Sequence, residues 1–422
     1  METYHLNNLE ITIDKEGAKR FTKVTYPIRY RRFCEIKTPD YLFQFNLNGE
    51  IKYIRGLSRN WPHPAEWLKR SDADDWVFYS AGGYNGIYHL LGEYYLPCLP
   101  YRSNSIWTYN PFIDPNIQRA FSAWTQLLTD LSKLRTNGIP SRIKNFLSLI
   151  SRHDKHTLNT RSKSLHRIIG GQISVLPPDT RHVDYDVIPL MIADGCLYHC
   201  DFCCIKTNQK FQPRSKENIL KQIKDMQSFY GANLRNYNAV FLGNHDALAA
   251  GHELIRIAAA AAHVSFGFEK SHIKDPALFL FGSVDSLLNG GDKLLEILNR
   301  LPYYVYINIG FESADPATLR HLNKPLEIDQ IKDAFQMMLD ANRSYQNIEI
   351  TANFLIEDEF PPNHYRSLIE LARNRLDRFY SKGALYLSPL NTSQNKRELI
   401  RKFVEIKNLS RLPTYLYLIQ RL

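Results

Sequence analysis

The sequence predicts an α/β chain: an open, partial (βα)6 barrel preceded by a smaller α+β domain. Three observations carry this. From Asp184 onward, apolar strand-like runs alternate with amphipathic helical stretches, the pattern of a parallel sheet wrapped by helices. The alternation repeats six times, short of the eight units that close a full TIM barrel. Before it, residues 1–110 read as short alternating strands and turns rich in aromatic residues. The 422 residues thus divide into an N-terminal domain (1–110), a basic helical linker (111–182) and the barrel (183–422).

Within the first domain, Leu9–Ile13 alternates polar and apolar residues. Tyr41–Leu47 does the same, and Asn48-Gly49 turns it into Ile51–Ile54 as a hairpin. Trp61, Trp67, Trp76, Phe78, Tyr79, Tyr84, Tyr88, Tyr94 and Tyr95 are read as the packing of a small core rather than as a stacking platform for bases. Gly82–Gly86 is a loop without the Lys-Ser/Thr that a phosphate cradle requires. Asp114 and Pro115 cap a helix whose apolar face is Ile117, Phe121, Trp124, Leu127, Leu128 and Leu131. Helices over 141–153 and 160–169 follow, and Pro177-Pro178 stiffens the entry to the barrel.

The barrel strands are read at 187–193, 239–242, 278–283, 304–309, 348–356 and 384–388. The helices between and after them are read at 215–230, 252–262, 293–301, 328–342, 363–376 and 393–407.

The net charge of +10 is concentrated. Residues 131–182 hold ten Lys/Arg against Asp154 and Asp179, a stripe that suits either a solvated helix face or a phosphate-rich partner such as RNA. The N-terminus lacks a signal-peptide pattern, and the longest apolar run, 257–262, is too short to span a bilayer. Six cysteines, four of them clustered, point to a reduced cytoplasmic metalloprotein without a membrane partner.

The first barrel strand leads into Gly195-Cys196-Leu197-Tyr198-His199-Cys200-Asp201-Phe202-Cys203-Cys204. Three thiolates on so short an arc suit three irons of a cubane and leave the fourth open to a non-protein ligand. Zinc, disulfides and buried core thiols are the alternatives. Zinc sites usually add a second Cys/His clip, which is missing here, and nothing else points to an oxidising compartment.

This layout resembles the signature of the radical S-adenosylmethionine (radical SAM) superfamily, including the aromatic Phe202 before the last cysteine. Over residues 185–408, Gly243-Asn244-His245-Asp246 resembles that superfamily's acidic element for the amino group of S-adenosyl-L-methionine (SAM). Gly310-Phe311-Glu312-Ser313 with Leu322-Asn323-Lys324 is similar to the element of the branch holding the elongator radical SAM domain, the methylthiotransferases and oxygen-independent coproporphyrinogen dehydrogenase. His245 and Ala314 stand where the family has glycine, and strand 5 lacks its glycine-rich adenine contact.

The resemblance implies a [4Fe–4S] cluster on Cys196, Cys200 and Cys203. It implies SAM contacts from Tyr198, Phe202, Asn244, His245, Asp246, Ser283, Glu312, Ser313, Leu355 and Tyr386. Asp285 and Asn308 are expected either to point towards a polar cavity or to be ordinary rim residues, and Cys204 to be a hydrogen-atom donor, to crowd the cluster pocket or to be a spectator thiol. One electron, from a reducing protein such as a flavodoxin or ferredoxin, would cleave SAM to a 5′-deoxyadenosyl radical that abstracts hydrogen from a substrate, a small molecule or RNA. Two other classes remain: a non-catalytic carrier of a cluster or haem, and a zinc-stabilised nucleic-acid-binding barrel.

Overall fold

The computed structural model describes residues 1–21, 29–81, 87–99, 110–134, 138–203, 209–357, 359–390 and 396–422. Cys204 and the loop at Gly82–Gly86 lie outside them.

Eight strands, β1 (Glu2–Leu6), β2 (Leu9–Glu16), β3 (Arg32–Lys37), β4 (Tyr41–Phe45), β5 (Ile51–Gly56), β6 (Trp67–Arg70), β7 (Trp76–Ser80) and β8 (Leu96–Cys98), form an antiparallel meander in sequence order. The five-residue helix α1 (Ile87–Leu91) interrupts it. The β4–β5 turn forms where the sequence places it. Gly49 takes a φ of 78°, and the Asn46 side chain accepts from the amides of Asn48 (2.9 Å) and Glu50 (3.0 Å). Of the aromatics read as core, Trp61, Trp67, Phe78, Tyr79 and Tyr95 are buried and Trp76 and Tyr94 half-buried, whereas Tyr88 is exposed and Tyr84 lies outside the described residues. Trp67 stacks on Tyr79 with centroids 5.2 Å apart, and Tyr95 stands edge-on to both.

Three helices follow: α2 (Pro115–Lys133), α3 (Ser141–Ile150) and α4 (Lys155–Ile169). Asp114 caps α2 by accepting from the Asn116 amide at 2.7 Å. Trp124 of α2 packs on Trp76, and Phe146 of α3 on Phe45, so these helices cover the meander.

The second layer is a parallel sheet of seven strands. In spatial order they are β17 (Thr414–Leu416), β16 (Leu385–Pro389), β15 (Ile348–Ile356), β14 (Tyr304–Glu312), β13 (Ala277–Ser283), β12 (Ala239–Gly243) and β9 (Ile188–Met191). A two-residue ribbon, β10 (Ala193–Asp194) with β11 (Gln212–Pro213), lies just beyond β9. Around the sheet run α5 (Lys216–Tyr230), α6 (His252–Phe266), α7 (Val284–Asn299), α8 (Pro316–His321), α9 (Ile328–Ser344), α10 (Pro362–Ile369) and α11 (Lys396–Leu409). Strand β17 extends the six expected strands to seven. Helix α7 begins nine residues before its expected start because Ser283 caps it through a capping box, and its backbone kinks at Gly291 rather than stopping there.

The sheet does not close. Its edges are β9 and β17, and the gap between them is bridged by two irregular segments. The Leu176 amide donates to the Gln420 carbonyl at 2.7 Å, and the Leu422 amide to the Ile173 carbonyl at 3.3 Å. Meander and barrel share one continuous apolar core. They are also joined by a buried charge cluster. Asp186, just before β9, takes Arg31 at 2.5 Å, Lys69 at 2.8 Å and Lys52 at 2.9 Å, and Lys69 also reaches Asp184 at 3.0 Å. Burial opposes the Asp186 charge, but the three cations outweigh it and hold the carboxyl well below the usual range.

Candidate active site

Register builds the site. Ser283, Gly310 and Asn353 are direct neighbours across β13, β14 and β15, and together they line a cavity of about 510 Å³ at the C-terminal ends of the strands. The cysteine loop closes one side. It leaves the β10–β11 ribbon at Gly195, whose φ of 73° and whose Cβ position, 2.2 Å from the Lys210 carbonyl oxygen, leave room for glycine alone. Arg214 staples the base of the loop with a two-pronged pair to Asp194 (2.7 and 2.5 Å). On the far side, the Asp201 amide donates to the Leu322 carbonyl (3.2 Å) and Asn323 Nδ2 to the His199 carbonyl (3.3 Å). The Leu322-Asn323-Lys324 element therefore braces the loop.

Cys196, Cys200 and Cys203 all line this cavity. Burial pushes the Cys196 thiol up, and it raises Cys200 to about 11. As free groups these two are thiols at neutral pH, and a bound metal would hold its cysteine ligands as thiolates. Among the described residues, no three His, Cys, Asp or Glu groups gather closely enough to hold one metal ion. A cube takes each sulfur on a different iron, so three soft donors lining one cavity suit it.

Of the other expected contacts, Tyr198, Phe202, His245, Asp246, Ser283, Glu312 and Leu355 line the cavity, as does Asn308. The Tyr198 hydroxyl donates to Asp285 Oδ2 at 2.5 Å; burial, then the bond to that carboxylate, keeps the phenol protonated. Asp246 is 5% exposed. Its Oδ1 accepts from Ser286 Oγ (2.8 Å) and the Ala249 amide (3.2 Å), while its Oδ2 is buried without a partner. Burial raises its carboxyl above the ordinary range. A buried carboxylate oxygen left without a partner, on a residue that lines a cavity, has the chemistry to take a cationic hydrogen-bond donor.

Glu312 ends β14 at a bulge, with a left-handed φ of 64°. Its Oε1 stands 3.4 Å from Lys324 Nζ and its Oε2 accepts from Asn353 Nδ2 at 3.1 Å. Lys324, 7% exposed, also donates to the Gly310 carbonyl at 2.9 Å and lies over the Tyr198 ring. It is a cavity residue that sequence reasoning had only as part of a motif.

Three expected contacts do not face the cavity. Ser313, just past the end of β14, is fully buried, and its hydroxyl bonds His364. The Tyr386 hydroxyl is taken by Asp179 (2.8 Å) and Arg181 (2.9 Å) deeper in the barrel. Asn244 is buried, with Nδ2 donating to the Gln172 carbonyl at 3.4 Å. Conversely, Val175, Tyr417 and Ile419, from the two segments bridging the open edge, line the cavity. No motif marks them.

Residues 190–356 match the Radical SAM superfamily. No curated protein matches the chain. Among solved structures, a radical SAM methyltransferase from Sphaerobacter thermophilus is 13% identical with a TM-score of 0.39, covering 55% of this chain and 65% of its own. The cobalamin-dependent radical enzyme OxsB, with aqua-cobalamin and S-adenosylmethionine bound, is 15% identical with a TM-score of 0.33; 55% of this chain spans 31% of it. Streptococcus suis SuiB, bound to the precursor peptide SuiA, is 10% identical with a TM-score of 0.36, covering 83% of this chain and 71% of its own. No helix among the described residues is long and apolar enough to cross a membrane.

Proposed function

Because residues 190–356 form a radical SAM domain, we propose that the chain is an enzyme that binds a [4Fe–4S] cluster on Cys196, Cys200 and Cys203 and SAM on its open iron. The observation that carries this is one cavity lined by the three cysteines and by Asp246, whose second carboxylate oxygen is buried without a partner. Bound there, the cluster and SAM supply the 5′-deoxyadenosyl radical that abstracts hydrogen from a substrate. The chain's own share is placement. Asp246 receives the methionyl ammonium, Tyr198 and Phe202 wall the cluster side, and Leu355 offers the adenine an apolar face. Leu197, exposed beside Cys196, keeps the loop within reach of a reducing flavodoxin or ferredoxin.

A small molecule is the favoured substrate. The RNA reading rests on the 131–182 stripe, and three of its ten cations are already engaged. Arg142 pairs with Glu2 and Asp14, Arg161 with Glu50, and Arg181 with Tyr386.

The test is anaerobic reconstitution with iron and sulfide, reduction with SAM, and mass spectrometry for 5′-deoxyadenosine. Its release is the expected result. An intact cluster without it would assign the chain to the non-catalytic carriers, and zinc in place of iron would favour the nucleic-acid-binding barrel.

A further inference from the structure

Helix α10 holds a histidine that no motif marks. His364 is 0% exposed, and both ring nitrogens are engaged. Nε2 lies 2.9 Å from the Leu355 carbonyl oxygen, which only accepts, so Nε2 carries the proton. Nδ1, 2.8 Å from Ser313 Oγ, is then the acceptor, and Ser313 donates to it. The Asp315 amide donates to the same Oγ at 3.0 Å, which completes the assignment. Burial lowers the imidazole to about 4, in keeping with this neutral form.

These partners are not arbitrary. Ser313 directly follows Glu312, whose left-handed backbone persists only where its surroundings over-determine it. Leu355 lines the cavity from the neighbouring strand. One side chain therefore spans the ends of β14 and β15 at the point where Glu312 turns inward toward Lys324 and Asn353. Above it, Leu322, Leu355 and Phe360 form a small apolar cluster against which Phe202 of the cysteine loop packs.

We infer that His364 is a positioning residue for the SAM site: by accepting from Ser313 it fixes the end of β14 so that Glu312 faces the cavity. The inference rests on the proposed radical SAM reading. A histidine that merely fills the core would affect stability alone.

The test compares Ser313→Ala, His364→Leu, His364→Asn and His364→Gln in the reconstituted full chain, by equilibrium binding of SAM and by thermal unfolding. Asn places an acceptor near the position of Nδ1, and Gln a donor near that of Nε2. Ser313→Ala and His364→Leu are expected to weaken SAM binding by about tenfold or more, while His364→Asn stays within about threefold of the native protein and His364→Gln does not. Unchanged binding in all four, or losses that follow thermal stability whichever bond is kept, would overturn the inference. Native protein that binds no SAM would instead refute the radical SAM reading. A crystal structure of Ser313→Ala then decides the positioning role: Glu312 displaced from Lys324 supports it, and Glu312 unmoved overturns it.

Discussion

Asp246 offers the sharpest test of the site, because its two expected effects have opposite signs. Its Oδ2 is buried and unpartnered, so in the ligand-free protein the charge is a liability, and burial has raised the folded-state pKa above the unfolded value near 4. The sign follows from linkage. A raised carboxyl favours the folded state fully below the unfolded pKa, and that contribution is lost as pH rises through the folded pKa. Asp246→Asn removes the charge and keeps the acceptor for Ser286 Oγ and the Ala249 amide. The ligand-free variant is therefore expected to unfold at the native temperature or higher at neutral pH, and to lose this part of the native protein's pH dependence. Its SAM affinity should fall. A hydrogen bond to a charged group contributes about 1.5–3 kcal/mol, which corresponds to roughly 10- to 150-fold in Kd. Anaerobic titration calorimetry on the reconstituted protein reads the second effect, and differential scanning calorimetry of the ligand-free chain the first. Native-like SAM affinity in Asp246→Asn would refute the assignment. So would a loss of affinity matched by a drop in thermal stability, since the residue would then be a structural cap.

Three further outcomes are expected. Alanine at Cys196, Cys200 or Cys203 should abolish cluster absorbance and leave less than the native iron content after reconstitution, whereas Cys204→Ala should retain both. Asp186→Asn removes the one carboxylate shared by Arg31, Lys52 and Lys69 and should cost about 3–5 kcal/mol in urea unfolding at neutral pH. Because the native carboxyl is depressed, the difference between native and variant should be full above about pH 4 and shrink as pH falls below it. Finally, poly(U) binding, if it runs through the exposed Lys155, Lys163 and Arg167 of α4, should weaken steeply with salt, and charge reversal at each should lower the log–log slope by roughly one. A flat native slope would assign the stripe to a solvated face.

What the chain reveals in its letters is what is local. The cysteines are legible because their chemistry needs only short spacing, and the inner strands because burial on both faces makes them continuous apolar runs, as in Ala239–Gly243. Strand β17 is three residues long and, among the described residues, pairs with β16 alone, too brief for periodicity to register. The helix read over 293–301 starts instead at Val284, where the Ser283 cap nucleates it, and runs through the kink at Gly291. Two hydroxyls stay out of the cavity for a different reason. That of Ser313 is claimed by His364, 51 residues away, and that of Tyr386, a residue expected to reach adenine through its backbone, by Asp179.

The same distance effect separates the two carboxylates of the described cavity lining. By motif, Asp246 and Glu312 are equivalent acids at strand ends. In the fold, Lys324 and Asn353 satisfy both oxygens of Glu312, whereas Asp246 keeps one oxygen free. The paired acid gains little from an incoming cation, because accepting one would compete with a lysine already in place. On the proposed function, a ligand's ammonium belongs at Asp246, while Glu312 helps hold Lys324 over the Tyr198 ring of the cysteine loop.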